Sequence, residues 1–187
     1  ITCIKVEDTL QALQDLATYY REQFTIPIIG ITGSVGKTST KEIVSAVLSE
    51  KYNVLKTAGN MNSQVGLPLM MLRLEEEHDI AVIEMGISEE GEMARLVRIA
   101  KPHVAIITNI GVSHISQLKS KENIRREKLN IINEFHKDST LFINGNDPLL
   151  WEIVDYYNRN KPTDERQIPS KNSKDNKSSH KFAKIEI

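Results

Sequence analysis

The chain has 187 residues, of which 40% are hydrophobic, and its formal net charge at pH 7 is -1. Such a length can bury a sizeable core, whereas the small net charge gives no reason to expect binding to nucleic acid or to a membrane surface. Cys3 is the single cysteine, which excludes an internal disulfide and a thiolate metal cluster and is typical of a cytoplasmic protein. We expect no membrane insertion, because no stretch approaches the roughly 18 consecutive apolar residues of a membrane span. The chain begins at Ile1 rather than Met, so we expect it to be a piece of a longer protein.

An amphipathic helix is predicted near the N-terminus. Asp8, followed three residues later by Gln11, resembles a capping box. The apolar residues in this segment recur at helical spacing: Leu10, Leu13, Leu16, Ala17, Tyr20 and Phe24. We interpret residues 1–25 as a linker and a structural helix that precede the main domain.

Strand-like apolar runs alternate with helical patterns from Ile26 onward. The predicted strands are 26–32, 53–55, 80–84, 104–108 and 140–144, and the predicted helices are 37–50, 90–100, 121–135 and 147–157. This alternation predicts an α/β fold over residues 26–158, with a mostly parallel sheet and helices on both faces. Residues 159–187 are rich in lysine, asparagine and serine, so we expect a polar, disordered tail in which 182–187 is the one candidate strand.

The segment Gly33-Ser34-Val35-Gly36-Lys37-Thr38-Ser39 lies between the first predicted strand and a helix. It has the compact phosphate-loop pattern Gly-x-x-Gly-Lys-Thr, because Ile31 stands where the longer Walker pattern has its first glycine. Glycines let consecutive N–H groups face one anion, the helix N-terminus adds partial positive charge, and Lys37 reaches the outer phosphates. Thr38 offers a hydroxyl to Mg²⁺. The pattern predicts ATP or GTP binding; the alternative is a glycine turn beside a chance Lys-Thr pair.

Further polar residues follow two other predicted strands. Glu84 ends the strand 80–84, and Asn109 follows the strand that contains Thr108. Ligands of open parallel sheets bind outside the carboxyl ends of the strands, so these residues should meet the phosphate loop in one crevice. Glu84 could then hold Mg²⁺ directly or through water; the alternative is a helix-capping or surface carboxylate. His114, in a loop leaving the same edge, could bind metal or phosphate or lie at the surface.

Residues 57–68 form a polar loop with two glycines that contains Asn60 and Asn62. Loops of this length that are structured are often functional. The alternative is a mobile connector, and residue spacing alone does not decide between them.

Lys128 falls within an apolar stripe. On the predicted helix 121–135, this stripe comprises Ile124, Lys128, Ile131, Ile132 and Phe135. The other side of the helix carries Arg125, Arg126 and Glu127. An ammonium that faces the sheet needs an anion or loses its proton more easily; the alternative is a lysine whose ammonium extends to water past the helix edge.

In order and spacing, these blocks resemble the central ATP-binding domain of the Mur ligases. The resemblance covers roughly residues 5 to 155 and rests on the blocks Ile31 to Thr38, Gly59 to Asn62, Gly66 to Leu69, Val82 to Gly86, Gly91 to Met93, Thr108 to Gly111 with His114, Lys128, and Asn144 to Pro148. Ser63 stands where a second asparagine is common in the family, the tail after Asn158 matches no family pattern, and both flanking domains of the family are absent.

The resemblance implies an ATP-dependent, amide-forming ligase with an acyl-phosphate intermediate, acting in peptidoglycan precursor synthesis. Its expected partners are UDP-N-acetylmuramoyl-tripeptide and D-alanyl-D-alanine, and its expected cofactors are ATP and Mg²⁺. The implied nucleotide-binding residues are Gly33 to Ser39 and Asn109, and the implied catalytic group is Lys37, Glu84, His114 and Lys128. The implied metal ligands are Thr38, Glu84, His114 and Lys128, the lysine being carbamylated by CO₂, and the implied substrate-binding residues are Asn60 and Asn62.

Two other functional classes stay open from the residues alone. One is a different ligase of the same superfamily, such as another Mur ligase or a folylpolyglutamate synthase; the other is a phosphate-loop kinase or a nucleotide-binding module that forms no amide. In the family, an N-terminal domain holds the uridine diphosphate and a C-terminal domain brings adenine contacts and the incoming amine. Without them we expect a monomeric chain that is inactive by itself.

Overall fold

The computed structural model describes residues 2–160 and 182–186, which form a sheet with helices packed on it. The strands are β1 (Ile28–Thr32), β2 (Val54–Lys56), β3 (Ile80–Glu84), β4 (Val104–Ile107), β5 (Thr140–Asn144) and β6 (Phe182–Glu186). The helices are α1 (Thr9–Arg21), α2 (Lys37–Ser49), α3 (Gly66–Met71), α4 (Glu92–Ala100), α5 (Ile115–Leu118), α6 (Lys121–Leu129) and α7 (Pro148–Asn160), and a 3-10 turn spans Asn130–Ile132. None of the helices in this part of the chain is long and apolar enough to cross a membrane.

The sheet has six strands in the order β2-β3-β1-β4-β5-β6. The first five are mutually parallel, and β6 pairs antiparallel with β5. The predicted α/β fold with a mostly parallel sheet is confirmed. Ile31 of β1 pairs with Glu84, and Thr32 pairs with Ile107. This register brings the carboxyl ends of β1, β3 and β4 together at one edge of the sheet.

Helices cover both faces of the sheet, as predicted, but unevenly. One face carries the main core, in which Ile28, Ile83 and Ile107 pack under residues of α1, α3, α4, α6 and α7. On the other face, Ile29, Ile31 and Val82 pack against α2. Because side chains alternate along a strand, Glu84 projects from the same face as Val82, towards α2. Residues 161–181, to which the prediction of a disordered tail mainly refers, lie outside the described residues.

Three local predictions differ from the structure. Asp8 caps α1 by accepting hydrogen bonds from the Leu10 and Gln11 N–H groups, but the Gln11 side chain donates to Asp15 instead of completing a capping box. The helix predicted over 121–135 ends at Leu129 and continues as the 3-10 turn, which begins with an asparagine, a weak helix former. The short helix α3 lies in a segment predicted as loop, because six residues are too few for a periodic pattern.

Two basic side chains join the end of α1 to the start of the sheet. Arg21 is 5% exposed and donates hydrogen bonds to the carbonyl oxygens of Phe24, Ile26 and Ala100. The Ile28 N–H donates to Nδ1 of His103 at 3.1 Å, so the ring accepts at Nδ1 and is neutral in this arrangement. Burial lowers the pKa of His103 below its ordinary value of 6.5, and the charges of Arg21 and His136 lower it further.

The lowered pKa of His103 predicts a loss of stability at acid pH. The unfolded chain binds a proton on His103 near pH 6.5, whereas the folded chain resists protonation, so this contribution to stability is complete above pH 6.5 and declines as pH falls below it. His103→Asn keeps an acceptor for the Ile28 N–H and removes the titration. Urea unfolding between about pH 5.5 and pH 7.5 should show a smaller pH dependence in the variant. An equal pH dependence in both proteins would contradict this assignment.

Candidate functional site

The segment between β1 and α2 folds as a tight loop against the end of β4. Gly33 has φ 149° and Gly36 has φ 83°, both in the region that favours glycine. A Cβ on Gly33 would lie 1.9 Å from the Thr108 Oγ1 atom, so a larger residue has no room there. Thr108 Oγ1 in turn donates a hydrogen bond to the Val35 carbonyl oxygen at 2.6 Å. The loop shape thus depends on glycine at 33 and on the strand beside it.

Asn109 fixes the middle of this loop. Its Oδ1 atom accepts hydrogen bonds from the N–H groups of Ser34 at 3.1 Å and Val35 at 2.9 Å. The Ser34 hydroxyl accepts from the Gly111 N–H at 2.7 Å, and a Cβ on Gly111 would lie 3.1 Å from Ser34 Cβ. The loops that follow β1 and β4 are therefore bound to each other by several contacts, as their placement at one sheet edge predicts.

The first turn of α2 supplies positive charge. No side chain caps its N-terminus in the described structure, so the dipole and the unpaired N–H groups of this end face outward beside the loop. Lys37, the first residue of α2, is half-buried, and its ammonium donates to the Gly33 carbonyl oxygen at 2.9 Å. A helix N-terminus with a lysine folded over a glycine loop is suited to binding an anion such as a phosphate.

Glu84 is a buried carboxylate next to this turn. It is 2% exposed, and its Oε2 atom accepts a hydrogen bond from the Thr38 hydroxyl at 2.9 Å. The Oε1 atom accepts from Nδ2 of Asn62 at 2.7 Å. Within the described residues, neither oxygen contacts a cationic side chain. A buried carboxylate held only by neutral donors favours a cation beside it.

Thr57 and Lys41 support Glu84, and neither was singled out by sequence reasoning. The Thr57 hydroxyl accepts a hydrogen bond from the Glu84 N–H at 2.8 Å. Lys41 lies on α2, is 2% exposed, and donates to the Thr57 carbonyl oxygen at 2.9 Å while pairing with Glu42 at the same distance. A signal was present in the sequence: Lys41 occupies the inward stripe of α2, as Lys128 does on α6.

Lys128 is buried beside the loop. It is 3% exposed and lies on the same side of α6 as Ile124, which is fully buried. Its pKa is lowered from 10.5 to about 8, mainly by burial and also by the positive charge of Lys37, while Glu127 opposes the shift. No hydrogen bond or ion pair to its ammonium is formed within residues 2–160. The charge interaction with Lys37 indicates that the two lysines face one region.

Glu127 is buried, which corrects its prediction as part of the solvated side of the helix. It is 4% exposed, its Oε1 atom accepts from the Met93 N–H at 2.9 Å, and its Oε2 atom accepts from Asn130 Nδ2 at 3.2 Å. The first turn of α4 has free N–H groups that a carboxylate satisfies, and a helical pattern read from one segment cannot reveal that partner.

Ser39, Asn60 and His114 form no side-chain hydrogen bond to Glu84 or Lys37 among the described residues. Ser39 and Asn60 are exposed and form no side-chain hydrogen bond in the described part of the chain. His114 is also exposed, caps the short helix α5 and has φ 61°. Their predicted roles in nucleotide, substrate and metal binding stay predictions.

An apolar groove of about 440 Å³ borders the loop at Thr108. Its remaining lining includes Ile43, Val44, Ile106, Phe142 and Asn144, and none of the lining residues is titratable. The groups suited to chemistry, Glu84, Thr38, Lys37 and Lys128, are not among the residues that line this groove.

The side chains at Glu84 include oxygen donors of the kind that bind Mg²⁺. A carboxylate and a hydroxyl are the oxygen donors that Mg²⁺ prefers, and both are present in Glu84 and Thr38 at hydrogen-bond distance. No cluster of three or more His, Cys, Asp or Glu side chains suited to a metal occurs among the described residues. The arrangement fits a magnesium ion that is bound both by these side chains and by oxygens of a bound phosphate, as in phosphate-loop proteins.

Two solved structures and a curated relative resemble this chain closely. A UDP-N-acetylmuramoyl-tripeptide--D-alanyl-D-alanine ligase of Bacillus subtilis is 50% identical over 147 residues, which are 79% of this chain and 32% of the relative. A MurF structure from Acinetobacter baumannii has a TM-score of 0.78 at 37% identity over 81% of this chain and 34% of that one. MurF ligase from Thermotoga maritima in complex with ADP has a TM-score of 0.76 at 37% identity, over 82% of this chain and 36% of that one.

A folylpolyglutamate synthase from Mycobacterium tuberculosis, complexed with ADP, has a TM-score of 0.61 at 19% identity over 79% of this chain and 43% of that one, which shows a shared fold alone.

The chain spans about a third of the length of the curated ligases that it matches. The family model described as "Mur ligase middle domain" matches residues 31–185, which include β6 and extend past residue 155, where the resemblance seen in the sequence ends. The chain therefore belongs to the Mur ligase family and contains the middle domain of such a ligase.

Proposed function

We propose that this chain is the ATP-binding part of a cytoplasmic, monomeric ligase that joins D-alanyl-D-alanine to UDP-N-acetylmuramoyl-tripeptide. The observation that supports it most directly is the pairing of a phosphate-binding loop with the buried carboxylate of Glu84. Relatives named for this activity are up to 50% identical to the chain. The folylpolyglutamate synthases share the fold at lower identity.

The proposed reaction has two steps. The terminal carboxylate of the tripeptide attacks the outermost phosphorus of ATP, which forms an acyl phosphate and releases ADP. The amine of D-alanyl-D-alanine then attacks the acyl carbon, and the tetrahedral intermediate loses phosphate and a proton to give the amide. Negative charge develops on the transferring phosphoryl oxygens and on the acyl oxygen, so positioned donors lower the barrier.

This chain's residues act mainly on the phosphates. The first turn of α2, at the end of the glycine loop, offers N–H groups to the phosphate oxygens, and Lys37 moves its ammonium from the Gly33 carbonyl to the outer phosphate. Thr38 and Glu84 would hold Mg²⁺, which supplies charge neutralisation between the phosphates. Asn62 holds the Glu84 carboxylate in place, and Asn60 lies in the same loop for contact with the peptide substrate.

Lys128 and His114 complete the proposed catalytic group. An amine reacts with CO₂ only in its neutral form, and burial with a pKa of about 8 gives Lys128 an accessible neutral fraction near neutral pH. The new N–C bond yields a carbamate with release of one proton, and the nearby charge of Lys37 favours that anion. The carbamate oxygens are then hard ligands of the kind that Mg²⁺ prefers. His114 is proposed to approach this group from its exposed loop.

Replacement of Lys37 tests the nucleotide site. Lys37→Ala removes a charge-assisted contact, so we expect the affinity for Mg·ATP to fall by about tenfold or more. Isothermal titration calorimetry of both proteins measures this. Lys51→Ala, at a solvent-exposed lysine beyond the end of α2, serves as the control and should bind like the parent chain. Equal affinities of the Lys37 variant and the parent would mean that the loop is not the nucleotide site.

Labelled bicarbonate tests the modification of Lys128. In ¹³C-bicarbonate solution, we expect one protein-bound carbamate signal in the NMR spectrum that grows as pH rises towards about 8, because the amine loses its proton there. Lys128→Arg keeps the positive charge but forms no stable carbamate, so its spectrum should lack the signal. Persistence of the signal in the arginine variant, or its absence from the parent chain at every pH, would contradict the proposal.

A chimaera tests the ligase function. Residues 1–187 alone should form no amide at an enzyme-like rate, because positioning two substrates against ATP supplies much of the rate and the chain spans only about a third of the length of the curated relatives. Placed in the Bacillus subtilis relative in exchange for the matching segment, the chain should support ADP release that requires both the UDP-linked tripeptide and D-alanyl-D-alanine. The same chimaera with Lys37→Ala is the control. ADP release without D-alanyl-D-alanine at an equal rate would indicate a kinase instead.

A further inference from the structure

The loop that carries Asn62 is held by a side chain of the N-terminal helix. Gln14 lies on α1, is 2% exposed, and its Nε2 atom donates to the backbone oxygen of Gln64 at 3.2 Å and to its side-chain Oε1 atom at 3.1 Å. Gln64 in turn contacts the start of α4, because its Nε2 atom donates to the Glu92 carbonyl oxygen at 3.2 Å. We call Gln14 and Gln64 the glutamine pair. It joins α1, the 57–65 loop and the start of α4.

Asn62 is two residues from Gln64 in this loop and is fixed on its other side by the strand β3. The Gly86 N–H donates to the Asn62 carbonyl oxygen at 2.8 Å, and a Cβ on Gly86 would lie 3.1 Å from the Asn62 side chain. The Asn62 Nδ2 atom then donates to Glu84 Oε1 at 2.7 Å. A shift of the loop at Gln64 would therefore change the position of the donor that orients the Glu84 carboxylate.

The rest of the loop is held by local backbone hydrogen bonds and by Met61, which packs against the core, while several of its other residues are exposed. Gly59 has φ 53°, and a Cβ there would meet nothing within 4 Å. Asn60 and Ser63 are exposed. A loop whose polar backbone faces solvent over most of its length moves readily unless anchored. The glutamine pair is the buried anchor on the side of α1.

We propose that Gln14 is a positioning residue for the magnesium side of the nucleotide site, acting through Gln64 and Asn62 on Glu84. The inference deepens the proposed function and rests on it. Helix α1 precedes residue 31, at which the family match begins, yet it takes part in shaping the site of the matched domain. With the glutamine pair intact, the Asn62 amide holds one Glu84 oxygen and leaves the other facing Thr38, ready for a cation that bridges to the phosphates.

The test separates metal-dependent binding from simple loss of stability. Gln14→Met keeps the size of the side chain and removes its donor. We expect the affinity for Mg·ATP to fall about fivefold, the effect of one lost hydrogen bond, while the affinity for ATP in EDTA stays unchanged. Tyr20→Phe is the matched control, because Tyr20 also donates a hydrogen bond from α1, to the Leu74 carbonyl oxygen, and forms none with the 57–65 loop in the described structure. It should lower the melting temperature without changing either affinity.

Two further variants make the result decisive. Gln64→Leu removes the side-chain hydrogen bonds of the glutamine pair from the half-buried loop side, including the one to Glu92, and should show a loss in the same direction if Gln14→Met fails to fold. Combined with Asn62→Ala, the Gln64→Leu change should cause no additional loss, because both act on one carboxylate. Equal losses with and without Mg²⁺, full additivity with Asn62→Ala, or the same effect in Tyr20→Phe would overturn the inference. A parent chain that binds neither form of ATP would overturn the proposed function as well, whereas a parent that binds Mg·ATP no better than the Gln64 variant would overturn the inference alone.

Discussion

The site depends on one buried carboxylate that has no cationic partner within the described residues. Glu84 lies at the end of a central strand with 2% of its surface exposed, and its carboxylate accepts hydrogen bonds from a hydroxyl and an amide, while its own N–H donates to the Thr57 hydroxyl. Such a group is costly to bury unless its oxygens are satisfied. Two separate segments supply those donors, the first turn of α2 and the loop after β2, and Thr57, directly after β2, accepts the backbone N–H of Glu84. Their arrangement is therefore coupled to the position of one side chain.

Charges of both signs meet at the first turn of α2. Lys37 and Thr38 are neighbours, the lysine folded over the glycine loop and the threonine bonded to Glu84. Lys128 interacts electrostatically with Lys37, and its pKa is lowered to about 8 by burial and by this charge. A nucleoside triphosphate with its magnesium ion carries complementary charges, because its phosphate oxygens bind cations and the metal ion binds a carboxylate. The helix N-terminus adds its dipole to the cationic side.

Buried polar residues on helices link this region to the rest of the fold. Lys41 of α2 contacts Thr57, Gln14 of α1 contacts Gln64, and Glu127 of α6 contacts the first turn of α4. Each occupies a position on an inward-facing helix stripe that is usually apolar, where an unsatisfied polar group would destabilise the fold. Each instead satisfies a backbone or side-chain group of a neighbouring segment. These contacts make the orientation of the loops more specific than apolar packing alone would.

The sequence alone determined the fold class, the succession of strands and helices along the chain and the phosphate loop, because hydrophobic periodicity and glycine placement are local signals. It also indicated that Glu84 and Asn109 end strands at one sheet edge, since parallel strands share the direction of their carboxyl ends. Only the tertiary structure decided the partners of Glu84, the burial of Glu127 and the contact between Gln14 and Gln64, which are 50 residues apart. Such contacts join side chains that no periodic pattern relates, and their geometry exists only once helices and loops have packed on the sheet.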